Sequence, residues 1–80
     1  MSDPIEAEIL RQTMARGATG SVSPEDIARA LEPETWRAVL PAVRQAAVRL
    51  LRAGRIEVLR KGKPVAEAEI RGVIRFRARA

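Results

Sequence analysis

Hydrophobic positions near the start of the chain recur at helical spacing. Ile5, Ile9, Leu10, Thr13 and Met14 share one broad face, while Glu8, Arg11 and Ala15 lie opposite. Asp3 is a suitable N-cap, Pro4 suits the first helical position, Glu6 falls three residues beyond the cap and Gly17 supplies the stop. This pattern predicts a helix over 4–16. Ala18-Thr19-Gly20-Ser21-Val22 reads as a turn, with room for a two-residue strand at Ser21-Val22. Ser23-Pro24-Glu25-Asp26 then repeats the start signal, and Ile27, Ala28 and Leu31 carry a short helix that stops before Pro33. Such a helix is too short to stand without neighbours.

Pro41 sets the next boundary. Inside a long helix it would remove a backbone donor and crowd the preceding turn, at a cost of about 3 kcal/mol. A turn or short helix over 34–39 is therefore expected, followed by a third helix from Pro41 to about Ala53, ending at Gly54. The alternative is one kinked helix over 34–53. In the third helix Val43, Ala46, Ala47, Leu50 and Leu51 form an apolar face, and Gln45, Arg49 and Arg52 project from the opposite one, flanked by Arg44 and Val48.

After Gly54 the period changes to two. Ile56 and Val58 alternate with Arg55, Glu57 and Leu59, which predicts a strand to about Arg60. Lys61-Gly62-Lys63-Pro64 is a turn signal, and Val65 to Gly72 is a mixed loop. The closing stretch Val73–Arg79 alternates strictly, with Ile74, Phe76 and Ala78 on one face and Arg75, Arg77 and Arg79 on the other.

A lone two-stranded hairpin is unstable and must lay its apolar face on the helices. The expected fold is therefore mainly α with a small β-hairpin: a winged helix, with a three-helix helix-turn-helix core and a C-terminal two-stranded wing, in one domain spanning 1–80. The expected core is Ile9, Met14, Ile27, Leu31, Trp36, Leu40, Val43, Ala47, Leu50, Leu51, Ile56, Val58, Ile74 and Phe76.

Several segments along this framework resemble the marks of a small bacterial family of domains of unknown function. They are Ser23-Pro24-Glu25-Asp26-Ile27-Ala28-Arg29-Ala30-Leu31, Trp36-Arg37, Pro41-Ala42-Val43-Arg44, Gly54-Arg55-Ile56, Lys61-Gly62-Lys63-Pro64-Val65 and Gly72-Val73-Ile74-Arg75. The resemblance implies a stand-alone winged-helix-like domain and carries no function, substrate or catalytic residue. It departs from the family after Val65, where Ala66-Glu67-Ala68-Glu69 replaces an Asp-Pro-like turn.

Composition narrows the function. The 80 residues contain no Cys and no His, so disulfides, thiolate metal sites and imidazole chemistry are absent. A chain this short buries only about 60% of its unfolded surface, which leaves a small core. The acidic start Met1-Ser2-Asp3-Pro4-Ile5-Glu6 is unlike a signal peptide, and no uncharged run approaches the roughly 20 residues that span a bilayer. A soluble, cytoplasmic protein without a membrane partner is expected. No Ser sits in a nucleophile-elbow setting and the glycines make no phosphate loop. Neither an enzyme, a cofactor nor a small-molecule substrate is therefore expected.

The net charge of +5 is unevenly spread. Residues 1–34 carry seven acids against three arginines, a net of −4, whereas residues 35–80 carry twelve basic residues against three acids, a net of +9. The basic half suits a polyanion. Arg44, Gln45, Arg49 and Arg52 on the third helix match a major groove, where Arg reads guanine and Gln reads adenine. Arg60, Lys61 and Lys63 at the hairpin tip match phosphates. The competing reading of each is a solvated surface, and for Arg75, Arg77 and Arg79 the protection of a sheet edge. Double-stranded DNA is the expected partner, with helix 41–53 in the groove. The rival is a winged-helix adaptor for proteins that uses the acidic half, and a homodimer is compatible with either.

Overall fold

The computed structural model describes residues 3–79; Met1, Ser2 and Ala80, the ends of the 1–80 domain read from sequence, lie outside the described residues. The order is α1 (Pro4–Arg16), α2 (Pro24–Leu31), α3 (Trp36–Arg52), β1 (Ile56–Arg60), β2 (Lys63–Pro64), one 3-10 turn (Glu67–Glu69) and β3 (Arg75–Ala78). The first two helices begin where their caps predict. Asp3 Oδ1 accepts from the amides of Ile5 and Glu6, and Ser23 and Asp26 exchange hydrogen bonds as a capping box.

The expected helix start at Pro41 is not observed. Instead α3 is continuous from Trp36 to Arg52, as in the single-helix alternative. Pro41 falls in its second turn, so its missing N–H deprives just the carbonyl of Arg37, an exposed residue that water reaches. Trp36, Val39 and Leu40 pack against the core before the proline, and their burial offsets its cost.

The sheet is antiparallel in the order β2-β1-β3. β1 pairs with β3 from Ile56↔Ala78 to Leu59↔Arg75, and Lys63-Pro64, inside the segment read as a turn, adds a short third strand on β1. Pro64 is tolerated there because it lies on the sheet edge. Of the expected Ser21-Val22 strand, Val22 makes a single bridge to Phe76, with both backbone bonds formed at 2.9 and 2.7 Å.

Phe76, Ile74, Ile56 and Val58 press onto Ile9, Ile27, Val43, Ala46, Ala47 and Leu50 in one cluster. Met14, expected in this core, is 68% exposed. Thr13 is buried in its place, because the i, i+4 line from Ile9 leads to Thr13, whose hydroxyl donates back to the Ile9 carbonyl at 2.8 Å. Leu31, Trp36, Leu40 and Leu51 are half-buried at the rim. Leu59 is buried on the other sheet face, opposite Pro64 and Arg75. Gly20 is fixed by close approach, since a Cβ there would lie 2.6 Å from the Arg16 carbonyl oxygen.

Candidate nucleic-acid interface

The outer side of α3 is not an open row of guanidinium groups. Arg49 turns toward α1, donating from Nε to Glu6 at 2.7 Å and from Nη2 to Asp3 at 2.9 Å. Asp3 thus does two jobs, one oxygen capping α1 and the other holding α3. Arg52 turns the other way and meets the Glu67 carboxylate with both Nε and Nη2, at 2.7 and 2.6 Å. Hydrogen bonding to Glu6 and to Glu67 raises the pKa of Arg49 and Arg52 respectively, and Arg52 in turn holds the Glu67 carboxyl below its ordinary value. Gln45 stays exposed on the strip between these two clasps.

Arg44 sits beyond the Arg52 clasp, half-buried, with Nη2 3.4 Å from the Gly72 carbonyl. It lines a cleft of about 110 Å³ together with Ser23, Pro24 and Glu25 at the start of α2 and Gly72, Val73, Ile74 and Arg75. Arg75 binds Ser21 through its hydroxyl and carbonyl, at 2.8 and 3.0 Å. The cleft is smaller than the roughly 300–1,000 Å³ of ordinary ligand pockets. Among the described residues no group of three acids could hold a metal ion, and no helix is long and apolar enough to cross a membrane.

Arg60, Lys61 and Lys63 cluster at the hairpin tip. Arg60 pairs with Lys63 across the turn, and among the described residues none of the three forms an ion pair. Lys61 adopts φ 52° and Gly62 φ 79°, the two left-handed central positions of a tight type I′ hairpin. On the outer sheet face Arg77 instead meets its cross-strand partner Glu57 at 2.7 Å. Arg29 and Arg37 each lie 4.4 Å from the Trp36 ring centroid, so its half-buried indole stacks on cations of its own chain.

The seven residues singled out from sequence therefore divide. Arg60, Lys61 and Lys63 share the tip; Arg44 joins the cleft; Gln45 is solvent-facing; Arg49 and Arg52 are tied to acids. Sequence reasoning misses Asp3, Glu6 and Glu67 as their partners, and these pairs, 46, 43 and 15 residues apart respectively, leave no local mark in a sequence. Arg75 was placed on the outer strand face, but its place in the cleft depends on the fold around Gly72.

Three helices followed by a three-stranded antiparallel sheet, with α2 and α3 joined by a short turn, make this a winged-helix-like domain. The chain belongs to the family described as Protein of unknown function (DUF3253), whose pattern it matches over residues 2–79. No curated protein matches the chain.

Proposed function

We propose that this domain binds double-stranded DNA without catalysis, in the cytoplasm, through phosphate contacts at the Arg60–Lys63 tip and the outer strip of α3 around Gln45. The observation that carries this reading is Lys61. A left-handed conformation costs a residue with a Cβ about 1–2 kcal/mol, and Asn or Gly fills the first central position of such a turn more cheaply. A cation held in this conformation, between two further cations and, among the described residues, in no ion pair, suits a phosphate-facing tip better than a purely structural turn. Backbone strain of this kind concentrates at functional sites.

Lys61→Asn separates the two roles. It keeps or raises the thermal midpoint while weakening retention of every duplex about equally and lowering the salt slope by about one. A Lys61→Asn variant that binds duplex like the wild type removes the basis of the proposal. Failure of the wild type to retard any duplex at low salt favours the second reading, a protein adaptor. That reading draws on Asp3, Glu6 and Glu67, whose pairing leaves the strip beside α3 less basic than its sequence.

A further inference from the structure

We propose, building on the DNA reading, that segment 65–72 is a removable mask on α3: Glu67 occupies the Arg52 guanidinium as a phosphate would, and duplex DNA displaces it. The segment leaves β2 at Pro64, is held to the C-terminal half of α3 where Arg52 grips Glu67, and returns to the middle of the helix where Arg44 meets Gly72. It therefore runs along one flank of the helix that carries Gln45. The side-on, two-point contact of Glu67 with Nε and Nη2 uses the same fork that arginine offers to phosphate.

The two clasps on α3 differ in how they release. Asp3 caps α1 and Glu6 lies in its first turn, and α1 is anchored by the buried Ile9 and the half-buried Ile5, so the acids on Arg49 stay in place while the fold stands. Glu67 belongs to a single 3-10 turn with no buried residue, flanked by the half-buried Ile70 and by the half-buried Val65, whose amide donates to the Val58 carbonyl at 2.9 Å. Few buried contacts and exposed polar ties are the marks of a segment that opens locally. An exposed ion pair resists its exchange weakly, and a phosphate restores the lost contacts.

The test compares Glu67→Gln with Glu69→Gln and the wild type in duplex retardation at about 50 mM salt, where phosphate contacts count most. Both variants remove one negative charge from the same turn, but among the described residues Glu69 forms no ion pair. Glu67→Gln is expected to bind about two- to fivefold more tightly than Glu69→Gln, the range set by breaking one exposed pair. Thermal unfolding confirms that both variants are folded. In the wild type, the Arg52 Nε–H resonance shifts on titration with duplex while that of Arg49 holds. Equal affinity of the two variants, or an Arg52 signal unmoved at saturation, overturns the mask and leaves DNA binding standing. Absence of any duplex binding by the wild type and both variants overturns both.

Discussion

The hairpin tip and the C-terminal half of α3 each carry three basic residues, Arg60, Lys61 and Lys63 against Arg44, Arg49 and Arg52, yet the fold treats them differently. Arg60, Lys61 and Lys63 stand together at the end of a ribbon, apart from any carboxylate that pairs with them among the described residues. Arg49 and Arg52 each meet acids brought from far along the chain. Charge counted along a sequence is thus not charge available to a partner. A phosphate approaching the tip meets unopposed cations, whereas one approaching α3 must compete with a carboxylate already in place.

The contrast depends on the sheet being seated on the helices, and Phe76 is the joint. It is fully buried, pairs with Val58 on one side and bridges Val22 on the other. Phe76→Ala is expected to cost about 3–5 kcal/mol, much of the stability of a small domain. Urea denaturation followed by circular dichroism checks this; a loss below about 1 kcal/mol would show a core that tolerates cavities far better than close packing allows.

A more direct way to break the contrast is to strip one region at a time. Replacing Arg60, Lys61 and Lys63 together by Ala is expected to lower duplex affinity at least about tenfold at moderate salt and to reduce the salt slope by about three. Replacing Arg49 and Arg52 by Ala is expected to lose less, since both guanidinium groups begin the encounter engaged. Retardation across a salt series measures both, and the opposite ranking would mean that paired arginines are the principal contacts after all.

Much of the scaffold was legible because local chemistry and tertiary packing agree there. The caps at Asp3 and Ser23, the prolines behind them and the alternation from Ile74 to Ala78 each state a conformation within a few residues. At Pro41 they disagree. Local sterics argue for a break, while Trp36, Val39 and Leu40 gain enough by packing to carry the helix through. Met14 shows the limit of a broad helical face: of two neighbouring positions, the one on the i, i+4 line from Ile9 faces inside, and Thr13 is tolerated there because its hydroxyl is satisfied on its own helix. The site was less legible. The tip cations are adjacent in sequence, so they were found together; the partners of Arg49 and Arg52 come from three-dimensional proximity alone.

Ser23→Ala sharpens the contrast at the scaffold. It removes the hydroxyl that accepts from the Asp26 amide at 3.0 Å at the start of α2, beside the cleft that Arg44 and Arg75 line. The expected loss is about 1 kcal/mol of stability, with duplex affinity unchanged because no tip residue moves. A fall in affinity without a fall in stability would move the contact surface from the tip to the cleft.

The smallest expected effect is acid sensitivity, and it falls on carboxyls that the fold pairs or hydrogen-bonds, the Glu67 that pairs with α3 among them. The Arg11 hydrogen bond lowers the Glu8 pKa, the Ser23 backbone amide lowers that of Asp26, and Arg52 lowers that of Glu67. A carboxyl whose folded pKa lies below its unfolded value adds stability above the unfolded value and loses it as pH falls through the folded one. Unfolded carboxyls titrate near 4, so stability is expected to hold from neutrality to about pH 5 and then to decline progressively. Since Glu8 and Glu67 pair with well-exposed arginines, each contributes little. Glu67→Gln therefore makes the acid limb slightly shallower, whereas Lys61→Asn leaves its slope unchanged, because among the described residues no tip cation forms an ion pair with a carboxylate. Thermal midpoints from pH 7 to 3 for these two variants and the wild type separate the outcomes; a shallower limb in Lys61→Asn would mean that the tip cations are coupled to acids after all.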